Sequence, residues 1–186
     1  MKKFTWLVLS VLIVAAMLLA SCGTSTTKTP AGPVVLTVTS GSKNKSYSMA
    51  DLQAMKSVTG NGGTKNKKGV VTGPFTYKGV ALIDLLNAVG GVASGQIVKF
   101  TATDDYTTSV SYDQVTSGGF SMYDTSGNPA TPAAKPVLAV VYSSNGTALD
   151  STIGPLEVGI LSNESLVSDG SVWAKMLKQI DIVAAP

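Results

Sequence analysis

The chain has 186 residues, 14 of them lysine and 11 acidic, with no arginine and no histidine. This near-balance leaves no basic face to neutralise phosphates, which argues against a nucleic-acid partner. The two missing residue types remove a bidentate anion fork, a proton shuttle and any histidine-dependent hydrolase triad.

The first 21 residues read as a secretory signal rather than as part of the fold. Lys2 and Lys3 form the charged region, residues 4–18 the apolar run, and Leu19-Ala20-Ser21-Cys22 closes it. That ending resembles the bacterial lipobox. The resemblance implies cleavage before Cys22 and lipidation of its thiol, an anchor of two or three acyl chains in the membrane. Cys22 is the one cysteine present, so no disulfide forms within the chain. Cleavage leaves 12 lysines against 11 acids.

Residues 22–33 are small, polar and proline-bearing, a flexible tether. A single domain is expected over residues 34–184. Residues 34–39 and 46–48 read as strands, and Ser48 with Asp51 three positions on as the cap of a short helix. Residues 59–69, TGNGGTKNKKG, contain no apolar side chain and read as a solvent-facing loop. Phe75-Thr76-Tyr77-Lys78 alternates as a strand does. Leu82, Leu85, Leu86 and Val89 then follow at helical spacing, with Gly90 placed for a left-handed cap.

Residues 96–102 and 107–111 read as paired strands joined through Asp104-Asp105-Tyr106. That turn is expected to pack Tyr106 inward; the alternative is that its carboxylates serve a hard cation. Residues 112–115 suit a helical turn. Residues 123–136 form a second long loop, in which Asp124, Ser126 and Asn128 spell a turn more than a calcium loop. Residues 137–142 are a continuous apolar run, the expected buried strand. Asn145-Gly146 turns the chain. Residues 154–160 and 176–183 supply further strands, the last with broken alternation that predicts a bulge or an edge. The sum is an α+β, mostly β domain with two or three short helices.

In order, Tyr77-Lys78-Gly79-Val80-Ala81-Leu82, Thr101 to Tyr106, Leu138-Ala139-Val140, Asn145-Gly146, Gly154-Pro155-Leu156 and Trp173 to Ile182 resemble the oxidoreductase molybdopterin-binding domain, the sulfite-oxidase-like fold. In catalytic members a cysteine thiolate about a dozen residues before the glycine of the aromatic-x-Gly phrase binds molybdenum. That position falls near Lys67, and arginine and histidine, which hold the pterin pyrophosphate in the family, do not occur here. Where the family often has arginine after Gly-Pro-Leu, this chain has Glu157. The resemblance thus implies the fold and argues against the family reaction; no cofactor is expected, with molybdopterin the runner-up.

The candidate ligand-binding residues are Lys65, Lys67, Lys68, Asp104, Asp105, Tyr106 and Trp173, besides Cys22 for lipidation. The three lysines make either an anion-binding corner or a solvated charge cluster, and Trp173 either a pocket wall or a core aromatic. The favoured reading is a lipoprotein of the bacterial envelope, extracytoplasmic and anchored to membrane lipid through Cys22. Its degenerate domain would bind a small molecule or an envelope protein. The alternatives are a molybdopterin oxidoreductase, or a subunit of one, lacking the cysteine ligand, and a structural envelope lipoprotein. Without histidine, no titration step is expected between about pH 6 and 8.

Overall fold

The computed structural model describes residues 29–186; the signal sequence, Cys22 and the first part of the tether lie outside them. The strands are β1 (Val34–Ser40), β2 (Lys43–Ser48), β3 (Ser57–Lys65), β4 (Val71–Ala81), β5 (Gln96–Ala102), β6 (Thr107–Ser111), β7 (Met122–Tyr123), β8 (Pro129–Ala130), β9 (Val137–Ser144), β10 (Thr147–Ala148), β11 (Glu157–Leu161), β12 (Val167–Asp169) and β13 (Leu177–Ala184). Between them stand three short helices, α1 (Met49–Ala54), α2 (Leu82–Asn87) and α3 (Tyr112–Ser117), and a 3-10 turn at Gly170–Val172.

Two sheets result. One runs β2-β1-β13-β5-β6, with β1 and β13 parallel. The other runs β9-β4-β3-β12-β7-β8, with β10 and β11 both paired to β9. Alternation explains the first sheet: Leu36 and Val38, Val98 and Phe100, and Ile180 and Ile182 all turn one face inward. They meet Val80, Leu138, Val140, Val158 and Ile160 of the second sheet in one core, closed by Leu52 of α1, Leu82, Leu85 and Leu86 of α2 and Val115 of α3. Burying such a side chain fully is favourable by about 1.5–3 kcal/mol.

Local signals hold where side chains speak. Ser48 and Asp51 form a reciprocal capping box, and Ser111 with Gln114 forms another on α3. The chain leaves α2 through Gly90 and Gly91, both at positive φ. In β13 the register slips between Leu177 and Gln179, so the broken alternation is a bulge, and the strand is central rather than an edge.

The loop expected over residues 59–69 is corrected in part: residues 59–65 belong to strand β3 (Ser57–Lys65) in the interior of the second sheet, with Gly62 and Gly63 buried, and only residues 66–69 turn the chain. A Cβ at Gly62 would stand 3.0 Å from the Trp173 ring, and one at Gly63 would stand 2.3 Å from the Thr72 carbonyl oxygen. The strand is specified by what is missing from it: bare backbone lets the neighbouring chain and an indole close on it.

The second sheet also buries part of its outer face. Tyr77, Ala139, Val141, Leu161 and Trp173 form a small cluster there, joined by Val58 and Leu149.

Candidate functional site

The β3–β4 turn carries the position at which the family resemblance expects a metal thiolate. It closes on itself: the Asn66 side-chain oxygen accepts from the Lys68 and Val70 amides at 2.9 and 3.0 Å. Lys67 and Lys68 are exposed. Lys65 is committed elsewhere, donating to the Gly127 carbonyl at 2.6 Å with its ammonium 4.1 Å from the centre of the Tyr123 ring. Asp169 answers the lysines from the neighbouring strand end. Hydrogen bonds from Ser171, and then the Lys67 charge, hold its carboxyl below the usual range.

The Asp104–Tyr106 turn differs from expectation in one respect: Tyr106 is 50% exposed rather than packed inward. Asp105 adopts φ 64°, and the Asp104 carboxylate accepts from the Tyr106 amide, a tight turn that swings the ring outward. Asp105 pairs with Lys178 at 2.7 Å, and that hydrogen bond holds its carboxyl low. Asp104, Tyr106 and Trp173 share the wall of a shallow cavity of about 220 Å³ with Lys175 and Met176. Trp173 is nevertheless mainly a core residue, 6% exposed, with its indole N–H donated to the Ser168 hydroxyl at 2.8 Å. The candidate residues thus split in two: Asp104, Tyr106 and Trp173 meet, while Lys65, Lys67 and Lys68 line none of that cavity.

Asp124 accepts from the Ser126 and Asn128 amides and the Asn128 side chain, which makes it the pin of a turn. Among the described residues, no group of three or more histidine, cysteine, aspartate or glutamate side chains is placed to hold a metal ion.

Glu157 is the least expected residue. It is 3% exposed, and its Oε2 has no hydrogen-bond partner among the described residues. Burial pushes its carboxyl up to about 7; Lys175 opposes that rise and Asp150 adds to it. Nearby Tyr77 is pushed up to about 12, first by burial and then by the Glu157 charge. Burial of this carboxyl speaks against the expectation of no titration step near neutrality. The signal was in view, an acid inside the apolar run Leu156-Glu157-Val158.

A larger cleft, about 500 Å³, was not anticipated. Its walls come from the start of β3, the β4–α2 junction, α3 and the entry to β9, and Lys56, Asp84 and Lys135 line it. It lies at the far end of the β3–β4 hairpin from the lysine turn, roughly 23 Å along the strand from Val58 to Lys65. No single stretch of sequence announces it.

Among solved structures, the chain is similar to the sulfane dehydrogenase SoxCD from Paracoccus pantotrophus, with a TM-score of 0.54 at 16% identity. The likeness covers 79% of this chain and 37% of that one. The fold is sulfite-oxidase-like. No family model matches the sequence, and no curated protein matches it. At this identity the likeness speaks for the fold alone.

The molybdenum–pterin group that the fold implies does not suit the side chains present. Residues 66–70 are a self-bonded turn without a thiolate, and the residue after Gly-Pro-Leu is a buried carboxyl where a phosphate needs a cation. A soft metal has no thiolate here, and a pyrophosphate no guanidinium fork.

Proposed function

We propose that the protein is a lipid-anchored binding module of the bacterial envelope, a sulfite-oxidase-like domain that has given up the family chemistry. The observation that carries this reading is Glu157, a buried acid with Lys175, Asp150 and Tyr77 around it, at the position where the family often places an arginine. A carboxyl there gives a pyrophosphate no guanidinium to bind, and the Asn66 turn supplies no thiolate to compensate. The cleft of about 500 Å³ falls within the usual size of a small-molecule site. The lipobox-like Cys22 supplies the anchor and the tether the reach, on the outer side of the membrane.

The test is purification from the native host followed by metal and pterin analysis. Protein without stoichiometric molybdenum or tungsten is the expected result. Stoichiometric metal with pterin fluorescence would transfer the chain to the oxidoreductases. Localisation is tested separately: palmitate labelling and membrane association are expected in the wild type and lost in Cys22→Ser.

A further inference from the structure

The cleft beside α2 combines an apolar wall with converging charged side chains, as small-molecule sites do. Val58, Leu82, Ile83, Val115, Val137 and Leu138 give it apolar walls, and two of these, Ile83 at 38% and Val137 at 40%, remain exposed. Lys56 and Lys135 reach it from segments far apart in sequence, and Asp84 is its acid. The local charge is therefore two cations against one anion.

Lys135 is pre-positioned. Its ammonium donates to the Thr116 carbonyl, and its stem crosses Gly118, where a Cβ would stand 3.0 Å from Lys135 Cγ. An ammonium carries three donors, so two remain for a ligand. Holding the side chain in place beforehand removes part of the ordering cost of binding. Lys56, exposed like Lys135, stands just before β3.

From this we infer that the cleft binds a small amphiphilic monocarboxylate, its headgroup between Lys56 and Lys135 and its alkyl chain against the Val58–Leu82–Val115 wall. A dianionic phosphate suits the cleft less well, since Asp84 opposes a second negative charge and no guanidinium is present. The inference rests on the binding-module reading and gives it a ligand class.

The experiment uses the full lipidated chain in lipid nanodiscs, titrated calorimetrically with butyrate, hexanoate and octanoate, with empty nanodiscs as the blank. Saturable binding is expected to tighten about fourfold per added methylene. Matched alkylammonium ions are expected to bind at least about tenfold more weakly. Lys56→Ala is expected to weaken octanoate about five- to tenfold without moving the thermal midpoint, since the Lys56 side chain makes no hydrogen bond or ion pair among the described residues. Lys135→Met keeps the stem over Gly118 and is expected to weaken binding similarly.

Absence of saturable binding, equal binding of the ammonium series, or indifference to both lysine substitutions would overturn the inference. Metal analysis of the same preparation separates the two failures. Metal-free protein that ignores carboxylates loses only this ligand class, whereas molybdenum-loaded protein loses the parent reading whatever the titration shows.

Discussion

The indole N–H of Trp173 donates to the Ser168 hydroxyl across 2.8 Å, with both residues buried. Trp173 reaches the outer face of the second sheet only because Gly62 and Gly159 lie beneath it; a Cβ at either would stand 3.0 or 3.3 Å from the ring. Ser168→Ala strands a buried donor and is expected to cost about 1–3 kcal/mol. Trp173→Phe removes the donor and part of the packing together. The double variant should therefore cost less than the two singles added, as urea unfolding followed by circular dichroism would read. Strict additivity would show that the hydrogen bond contributes nothing.

Asn145 tests the hairpin that joins β9 to β10. It sits at φ 49°, its amide donates to the Thr76 carbonyl at 2.7 Å, and its side-chain oxygen accepts from the Thr76 amide at 3.0 Å. Asn145→Ala keeps the backbone bond, loses the acceptor and places a Cβ-bearing residue without local hydrogen bonding in the left-handed region. A loss of about 1–2 kcal/mol is expected, with Asn145→Gly recovering the conformational part.

How far the sequence revealed this fold depends on which side chains carried the message. Leu82, Leu85 and Leu86 declared α2, Ser48 declared the cap of α1, and residues 137–142 declared the buried strand β9. Strand β3 stayed hidden because periodicity is read from apolar side chains, and its buried positions are Gly62 and Gly63. The site was harder still. The cleft gathers residues 56, 58, 81–84, 115–116 and 135–138, which only the tertiary fold brings together. Lys65 looked like a free cation in sequence and is instead tied to Gly127.

Glycine substitutions probe how closely the strands approach. At Gly79 a Cβ would stand 2.2 Å from the Val140 carbonyl oxygen and 2.6 Å from the Val141 Cα, both fixed backbone atoms of β9. Gly79→Ala is therefore expected to destabilise by about 3 kcal/mol or more. Gly119 meets nothing within 4 Å, and Gly119→Ala is expected to stay within about 0.5 kcal/mol of the wild type. Equal effects at the two positions would mean that β4 and β9 do not pair this closely.

Glu157 makes the stability of the fold depend on pH. Its carboxyl rises from 4.5 to about 7 on folding, chiefly through burial, with Asp150 adding to the rise and Lys175 opposing it. Below about pH 4.5 the group is protonated whether the chain is folded or not, and its contribution is fully present. As the pH climbs, the unfolded chain releases the proton first, so stability falls until the folded carboxyl ionises near 7. The whole loss is about 3 kcal/mol. Tyr77, which faces it besides Lys175 and Asp150, is pushed up to about 12 and stays neutral throughout this window. Asp105, Asp124, Asp150 and Asp169 are all held low and act in the opposite sense, but only under more acidic conditions. Urea unfolding should therefore show the wild type weakening between pH 5 and pH 8, with Glu157→Gln nearly level and the more stable of the two at pH 8. A wild type that gains stability over that range would mean that the Glu157 carboxyl is solvated or paired with a cation in solution.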